Sequence, residues 1–328
     1  MILVLGGAGY IGSHAVKELL DKGYYVLVID NLSTGHRNSL DTRAVFVEGD
    51  VGDSALLERV FTQYKVEAVM HFAASCLVGE SMSNPLKYYE NNVINSFNVL
   101  KVMVKHNVKK IIFSSTCATY GLAENEFLNE DSPTSPINPY GRSKLIVEQM
   151  IHDCFKSYGL DYIILRYFNV AGADFSGRIG EHHNPETHLI PNVLLHLLGK
   201  SKHISIFGND FNTADGTCIR DYIHVLDLVE AHILSLQEVL NTSPVGRVYN
   251  LGNNKGYSVK QIIEQCERIT KKKAHVVYEK RREGDPPYLV ASAKKVYEEL
   301  EWIPKYSLED MIRSAWQWHK SNPDGYDS

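Results

Sequence analysis

The fold class of this 328-residue chain is set by Ile2–Gly12, which reads ILVLGGAGYIG. Four consecutive apolar residues are typical of a parallel strand that is buried on both of its faces. Apolar residues at helical spacing follow the glycines and stop near Gly23, and Tyr25–Ile29 then predicts a second strand that ends at Asp30. A strand, a helix and a strand within about thirty residues form the context in which a glycine-rich loop predicts dinucleotide binding.

The glycines of this loop are expected to have separate roles. Gly7 would supply the tight turn, Gly9 would let the backbone approach a pyrophosphate, and Gly12 would let the helix pack closely on the strand. Asp30 follows Gly9 by about twenty residues, where its carboxylate can bind both ribose hydroxyls of an adenosine. Because that carboxylate would repel a 2′-phosphate, the sequence favours NAD over NADP. The alternative is a glycine-rich turn that binds no ligand.

Strands and helices continue to alternate through the first half of the chain, which predicts an α/β fold with a Rossmann-type, doubly wound parallel sheet. Ligands of such sheets bind outside the carboxyl ends of the strands. Asp50 follows one predicted strand, where it could face an adenine ring. Ala73 and Ala74 follow another strand, and their small side chains would let the backbone pass close beneath a cofactor. Thr116 ends a third strand, so its hydroxyl is expected where the chemistry takes place.

Tyr140 and Lys144 are four residues apart in a predicted helix that begins near Pro139, so their side chains are expected on one face. A phenolate base at pH 7 requires the pKa of tyrosine, ordinarily about 10, to fall by roughly 3 units. A lysine cation fixed beside the phenol would supply much of that shift, because it favours the charged phenolate. An isolated Tyr-x-x-x-Lys is more often a surface pair, but here it accompanies the glycine loop and the hydroxyl of Thr116.

Composition and charge exclude several classes of protein. Hydrophobic residues make up 44% of the chain and charged residues 22%, as in ordinary globular proteins, and the net charge of −5 offers no footprint for nucleic acid. The five cysteines are widely spread and show no metal-ligand spacing, which favours a reducing compartment. No apolar run approaches 18 residues and no leader sequence is recognisable, so we expect a cytoplasmic protein that does not enter a membrane.

The alternation weakens beyond Asn169, and Gly, His, Asn and Pro become frequent up to Pro191. We therefore predict an NAD-binding Rossmann domain over residues 1–170 and a smaller α/β domain, for the substrate, over residues 171–328. Segments near residues 217–240 are expected to return to the first domain.

Together these features resemble the short-chain dehydrogenase/reductase superfamily, and the added carboxyl-terminal region is similar to its extended branch, which acts on nucleotide sugars. Within that branch the chain resembles the UDP-glucose 4-epimerase family over nearly its whole length. The stretches that carry this resemblance are Gly6–His14, Val78–Ser81, Tyr88–Val93, Asn138–Gly141, Leu165–Asn169, Ile206–Asp210, Arg220–His224 and Arg282–Asp285.

The resemblance implies a reaction without net redox change, in which configuration at C4 of a UDP-hexose is inverted through a transient 4-keto sugar and bound NADH. Tyr140 would take the proton of the 4-hydroxyl as a phenolate, and Thr116 would hydrogen-bond the same oxygen. Lys144 would hold the nicotinamide ribose and depress the pKa of Tyr140.

The resemblance also implies which residues bind the two ligands. The NAD contacts are Gly6, Gly9, Tyr10, Ile11, Gly12, Asp30, Asn31, Asp50, Val51, Phe72, Ala73, Ala74, Asn91, Tyr140, Lys144 and Phe168. The substrate contacts are Thr116, Tyr140, Asn169, His188, Leu189, Phe207, Arg220, Arg282, Asp285 and Leu289. Among these, the guanidinium groups of Arg220 and Arg282 suit the diphosphate.

Four positions depart from the common pattern of the family. Thr116 stands where many members have Ser, Cys76 where some have Lys near the cofactor phosphates, and His188 where others have an Asn that touches the substrate. Leu289 stands at a gate beside C2 of the hexose, where members restricted to plain hexoses can have a bulky Tyr. The smaller Leu289 predicts that N-acetylated UDP-sugars are also accepted, unless it is simply a core residue.

Three other functions remain open at this point. A nucleotide-sugar 4,6-dehydratase would need an acidic pair just after Thr116, where the chain has Cys117–Thr119. An NAD-dependent sugar-nucleotide oxidoreductase could use the same scaffold, whereas an NAD sensor without chemistry would not need Tyr140 and Lys144. The resemblance implies a homodimer, formed through the helix after Pro85 and the Tyr140 helix. No metal is expected, because His182, His183 and His188 suggest a polar loop.

Overall fold

The computed structural model describes residues 1–122, 127–282 and 285–326, so Glu283 and Gly284 of the Arg282–Asp285 stretch lie outside the described residues. The strands are β1 Ile2–Leu5, β2 Val26–Asp30, β3 Val45–Glu48, β4 Ala68–His71, β5 Lys110–Thr116, β6 Asp161–Tyr167, β7 Asn169–Ala171, β8 Ile204–Phe207, β9 Ile219–His224, β10 Gly246–Leu251, β11 Gly256–Ser258, β12 Val276–Glu279 and β13 Tyr288–Leu289.

The helices alternate with these strands through most of the chain. They are α1 Tyr10–Asp21, α2 Ser54–Gln63, α3 Val78–Ser83, α4 Pro85–Tyr88, α5 Asn95–Lys105, α6 Pro139–Tyr158, α7 Leu189–Leu197, α8 Val225–Asn241, α9 Val259–Thr270, α10 Lys294–Leu300 and α11 Leu308–Ser321. The wider turns of Tyr89–Ile94 join α4 to α5, so the helical run predicted after Pro85 is present.

A seven-stranded sheet in the order β10-β6-β5-β4-β1-β2-β3 confirms the predicted Rossmann-type architecture. The strand pairs from β6 to β3 are parallel, with Leu3 opposite both Leu27 and Val69. The order reverses between β1 and β4, which is where such sheets bind ligands at the carboxyl ends of their strands. All four residues of β1 are buried, as its uniformly apolar sequence predicts.

The chain folds into two compact units, each made of three segments. The first unit contains residues 1–121, 133–167 and 229–249, and its core joins apolar residues of the sheet to those of α2, α5 and α6. The second unit contains residues 122–132, 168–228 and 250–328.

The second unit has two small sheets of its own. Strand β9 pairs with β7 and β13 in parallel and with β11 antiparallel, while β8 pairs with β12. Its core is formed by apolar residues of α7, α9 and α11, which pack against one another. Within the described ranges, none of the helices is both long enough and apolar enough to cross a membrane.

Candidate active site

The glycine loop after β1 is shaped by close backbone contacts. The sequence suggested that Gly7 supplies the tight turn. The left-handed residue is instead Gly6, which has a φ of +78°. A Cβ on Gly7 would lie 2.6 Å from the Val28 side chain, so Gly7 is needed for packing on β2. A Cβ on Gly12 would lie 2.1 Å from the Gly6 carbonyl oxygen, in agreement with the packing role predicted for Gly12.

Gly9 and Asp30 fit the adenosine diphosphate half of NAD. A Cβ on Gly9 would meet only one protein atom, the Gly6 oxygen, at an ordinary contact distance of 3.5 Å. The packing of the chain therefore does not require glycine at this position. A pyrophosphate bound against the backbone would require it. Asp30 ends β2, is 8% exposed, and accepts hydrogen bonds from the Ala8 and Leu32 amides at 2.9 Å each. Since a carboxylate has about four acceptor sites, two remain for ribose hydroxyls. Burial raises the pKa of Asp30, and the two amide bonds oppose that shift.

Asn31 and Asp50 belong to a hydrogen-bonded series of polar side chains in the first unit. Asn31 donates to Asp50 at 2.6 Å, and Asn95 donates to the other oxygen of Asp50 at 3.3 Å and to Asn91 at 3.4 Å. Asn91 in turn donates to Ser75 at 3.1 Å. Sequence reasoning identified Asn31, Asp50 and Asn91 but missed Ser75 and Asn95, because a buried asparagine inside a helix has no distinct sequence signature.

The other residues predicted to contact NAD come after the carboxyl ends of strands β1, β3, β4 and β6. Tyr10 and Ile11 open α1, and Phe72 follows β4 with its ring 4.9 Å from that of His232. The backbone of Ala73 runs so close to Gly6 that a Cβ on Gly6 would lie 2.5 Å from the Ala73 nitrogen. Val51 and Phe168 are buried and Ala74 is half-buried, with Phe168 in the second unit. Their contacts with NAD stay predictions.

The start of α6 brings Tyr140 to Thr116. Asn138 caps the helix by accepting the Gly141 amide at 2.8 Å, and Pro139 is its first residue. A Cβ on Gly141 would lie 2.3 Å from the Ala118 oxygen, so only glycine allows the first turn to approach the 117–119 turn this closely. As a result the Thr116 hydroxyl lies beside the phenol of Tyr140, where a hydrogen bond between them would favour the phenolate.

The electrostatics of Tyr140 and Lys144 differ from the sequence prediction. Burial raises the pKa of Tyr140 well above its usual value, with Cys76 and Tyr167 adding to the shift and the Thr116 hydrogen bond opposing it. The ammonium group of Lys144 instead donates to the Ser114 carbonyl at 2.8 Å and lies 4.8 Å from the centre of the Phe113 ring. Lys144 is not among the groups that shift the pKa of Tyr140 in this arrangement, and its effect on the phenolate stays a prediction.

Lys144 itself is 3% exposed, and burial lowers its pKa to about 8. Glu148, one turn further along α6, opposes this shift and holds a buried network that sequence reasoning missed. The guanidinium of Arg166 donates to the two Glu148 oxygens at 2.5–3.2 Å and to the Tyr120 hydroxyl at 3.1 Å, and Ser115 donates to Glu148. The network connects α6 to β5 and β6, and so fixes the position of Tyr140 and Lys144 relative to the sheet.

Three of the residues predicted to bind substrate lie together in the second unit. Arg220 on β9 is opposite Leu289 on β13, and its guanidinium lies 3.3 Å from the carboxylate of Asp285. The same guanidinium donates to the Ile219 and Pro286 carbonyls at 2.9 Å each, which fixes its direction. A preorganised cation beside a carboxylate is suited to a diphosphate and a neighbouring ribose.

Phe207 and Arg282 form a second pair, since the guanidinium of Arg282 lies 3.8 Å from the centre of the Phe207 ring. Asn169 begins β7 and lies opposite Tyr222 of β9. The backbone pairings place Asn169 on a neighbour of the strand that carries Arg220, but the sequence alone had separated these residues by fifty positions.

Asp221 is a buried residue whose role sequence reasoning missed. It accepts hydrogen bonds from the Asn253 amide at 2.8 Å and the Ala291 amide at 3.2 Å, and it is 0% exposed. Burial raises its pKa to about 7 in spite of these amides. Asp221 thus fixes the loops that flank Arg220 and Leu289.

His188 and Leu189 lie at the start of α7, where His188 is the capping residue. The Nδ1 atom of His188 lies 2.9 Å from Glu181 and 3.0 Å from Glu186, so this nitrogen faces two carboxylates. His183 faces the same two carboxylates, whereas His182 lies apart, against Trp318 and Tyr326. The ligand atoms of Glu181, His183, Glu186 and His188 all lie within 4.8 Å of one another.

Comparisons with known proteins show which family the chain is similar to. Residues 2–252 match the model of the NAD dependent epimerase/dehydratase family. A UDP-glucose 4-epimerase from Halalkalibacterium halodurans is 52% identical over 326 residues, which are 99% of this chain and 97% of that protein. One solved structure of a UDP-glucose 4-epimerase is 51% identical, has a TM-score of 0.97, and is matched over 100% of this chain and 99% of its own. The enzyme from Bifidobacterium longum, solved in complex with NAD+ and UDP, is 39% identical with a TM-score of 0.94 over 99% of both chains.

Proposed function

Because the chain belongs to the NAD-dependent epimerase/dehydratase family, we propose that it interconverts UDP-glucose and UDP-galactose by inverting C4 of the hexose. The observation that carries this proposal is that the Thr116 hydroxyl and the phenol of Tyr140 come together one helical turn from a buried Lys144. Its support is the near-full-length similarity to proteins named UDP-glucose 4-epimerase. NAD, when bound, supplies a reversible hydride acceptor for C4, so that a 4-keto sugar can form and be reduced on its other face.

The residues of the first unit would handle the proton of the 4-hydroxyl. Tyr140 would take this proton and return it, and Thr116 would hold the phenol and the sugar oxygen in line. Lys144 would bind the nicotinamide ribose once its ammonium group turns from the Ser114 carbonyl. Burial raises the pKa of Tyr140, so positive charge placed beside the phenol would favour the phenolate.

The residues of the second unit would recognise the nucleotide. We assign the diphosphate to Arg220 and Arg282, the uridine ribose to Asp285 and the uracil pocket to Phe207. Asn169, His188 and Leu189 complete the proposed substrate set. These roles imply an NAD-binding domain over residues 1–170 and a UDP-sugar-binding domain over residues 171–328.

The test is to incubate the purified protein with UDP-galactose, with and without added NAD+, and to separate the products by chromatography. We expect UDP-glucose without accumulation of NADH, and a rate that does not depend on added NAD+. A 4-keto-6-deoxy product would instead indicate a dehydratase, stoichiometric NADH a dehydrogenase, and no turnover a sensor. The dehydratase is disfavoured because the turn after Thr116 consists of Cys117–Thr119 and offers no acid.

Leu289 favours a second substrate pair, UDP-GlcNAc and UDP-GalNAc. Leu289 is half-buried on β13, directly opposite Arg220, where a tyrosine would occupy more space beside the sugar. We expect Leu289→Tyr to abolish turnover of UDP-GlcNAc while UDP-galactose is still converted, and Leu289→Met to preserve both activities. Wild-type protein that fails to convert UDP-GlcNAc would contradict this assignment.

Three further properties belong to the proposal. A homodimer formed through α5 and α6 is supported by exposed apolar residues at and near α5, where Ile94 is 55% and Phe97 52% exposed. A cytoplasmic location is supported by the five cysteines, all of which are free. A role in galactose metabolism follows from the proposed substrates.

A further inference from the structure

Four side chains between β7 and α7 form a compact cluster, of which the proposed function uses only His188, as a substrate contact. Glu181, His183, Glu186 and His188 come from eight consecutive residues, and each directs one nitrogen or oxygen atom to a common centre. We propose that this cluster is a Zn²⁺ site with two imidazole and two carboxylate ligands. This proposal departs from the sequence-based expectation that the chain holds no metal, and it does not depend on the proposed epimerase activity.

The distances between the ligand atoms suit a small ion. His188 Nδ1 lies 2.9 Å from Glu181 and 3.0 Å from Glu186, and His183 Nδ1 lies 3.4 and 3.5 Å from the same two carboxylates. Zn–N and Zn–O bonds of about 2.0–2.2 Å in a tetrahedron give ligand–ligand distances of about 3.3 Å. The four observed distances lie on either side of that value, although Glu186 faces the two histidines through different oxygens. All four ligand atoms lie within 4.8 Å of one another, so binding requires side-chain rotations that bring them together.

Burial of like charges is the second observation that points to a cation. The side chains of Glu181 and Glu186 are 4% and 7% exposed, and each lies against both histidines, so two carboxylates share one dry site. Two adjacent buried anions require two positive charges nearby. A single Zn²⁺ with neutral histidines supplies them, and so do two protonated histidines without a metal.

The choice of metal follows from the donor set. Imidazole nitrogens favour Zn²⁺ and its transition-metal neighbours over Mg²⁺ and Ca²⁺, which prefer oxygen ligands alone. Four protein ligands close a tetrahedral shell and leave no open position, which is typical of structural rather than catalytic zinc.

The expected role of the ion is to fix the start of α7. His188 caps this helix, and the carboxylate of Glu186 also accepts the backbone amides of Thr187 and His188 at 2.8 Å each. Helix α7 packs on α9 and α11 in the core of the second unit. A metal bound by four residues of this loop would therefore connect the loop to that core.

The test measures metal directly, on full-length protein without a polyhistidine tag. The protein is stripped with a chelator, dialysed and titrated with Zn²⁺ against a chromogenic competitor, and the metal retained after gel filtration is measured by mass spectrometry. We expect one Zn²⁺ per chain with a Kd in the micromolar range or below, and a rise in Tm on binding. Co²⁺ in place of Zn²⁺ should give the intense visible absorption of a tetrahedral site.

The double variant His183→Gln/His188→Gln is expected to lose both the bound Zn²⁺ and the Co²⁺ spectrum. His203→Gln is the matched control, because His203 is an exposed histidine outside the cluster, and it should retain one ion per chain. Wild-type protein that binds no Zn²⁺ and shows no Co²⁺ spectrum would overturn the proposal in favour of two protonated histidines. Zinc binding that survives the double variant would overturn it as well, by placing the ion elsewhere.

Discussion

Tyr140 and Lys144 illustrate how far a spacing rule predicts the chemistry of single residues. The four-residue spacing correctly predicted that both side chains lie on one face of a helix that meets Thr116. It did not predict where the ammonium group would go, because the Ser114 carbonyl is a nearby acceptor only in the folded chain. It also did not predict that burial would raise the pKa of Tyr140, since burial depends on residues far apart in sequence.

Tyr140→Phe should remove the proton acceptor while the ring remains in place. We expect kcat for UDP-galactose to fall by about 10²–10⁴-fold, the usual contribution of general acid–base catalysis. NAD retained by the purified variant, measured by release on denaturation, should equal that of the wild type. Tyr297→Phe, at a tyrosine that is 54% exposed, is the control and should be fully active. A Tyr140→Phe variant within tenfold of wild-type kcat would rule out Tyr140 as the base.

Lys144→Met should abolish turnover and increase the free energy of unfolding. Burial lowers the pKa of Lys144 from 10.5 to about 8, so below pH 8 the folded chain holds a charge that burial disfavours. At about 1.4 kcal/mol per unit the penalty is at most about 3 kcal/mol at pH 7, and loss of the hydrogen bond to Ser114 offsets about 1 kcal/mol of the gain. The variant should therefore be inactive and about 2 kcal/mol more stable at pH 7, with the advantage shrinking as pH rises from 8 to 10.5.

Urea unfolding of Lys144→Met at pH 7 and at pH 9.5 measures this difference. Lys101→Met, which replaces an exposed lysine on α5, is the control and should change stability little at either pH. An advantage of the same size at both pH values would show that the buried charge is not its cause.

At the scale of elements, the first sheet was predictable because its strands are continuous apolar runs bounded by glycines and acidic residues. The short strands of the second unit were harder to predict: β11 and β13 have three and two residues, too few to show a period. Helix α7 was also missed, because the loop before it is rich in histidine and proline. The close approach of α6 to the 117–119 turn could not be predicted from the sequence, although the residues that make it, Asn138–Gly141, were identified as a family motif.

Gly141→Ala tests whether this close approach of α6 is required. The added methyl group would lie 2.3 Å from the Ala118 oxygen, so the first turn of α6 must shift. We expect a loss of about 1–3 kcal/mol in the free energy of unfolding and a fall in kcat of at least tenfold, because small displacements of a catalytic group are costly. Gly79→Ala is the matched control, since a Cβ there would meet no atom of the described chain within 4 Å, and both properties should be preserved.

At the scale of the molecule, each of the two units is assembled from three separated segments. The first unit takes residues 229–249 from late in the chain, whereas residues 217–228, which were expected to return with them, belong to the second unit. The second unit takes residues 122–132 from early in the chain. That second exchange was not predictable, because the sequence of residues 122–132 shows no regular period and Leu128 contacts Asn250 and Ala291 only in the folded chain. Such long-range pairings are set by the finished fold rather than by local sequence.

Phe97→Glu tests the proposed homodimer. Phe97 is 52% exposed on α5, and a carboxylate there would be buried without a partner if α5 forms the interface. We expect light scattering to change from about twice the chain mass of 37.0 kDa to a single chain. Phe127→Glu replaces a phenylalanine of similar exposure, 47%, outside α3 to α6, and should leave the dimer intact. If wild-type protein is already monomeric at micromolar concentration, the dimer proposal fails.

The position of β10 has a consequence for biosynthesis. Strand β10 lies at the edge of the seven-stranded sheet beside β6, yet β6 ends at Tyr167 and β10 begins only at Gly246. During translation the nascent chain therefore exposes the β6 edge until almost eighty further residues have left the ribosome. Unpaired strand edges promote aggregation, so this interval is when the growing polypeptide depends most on chaperones.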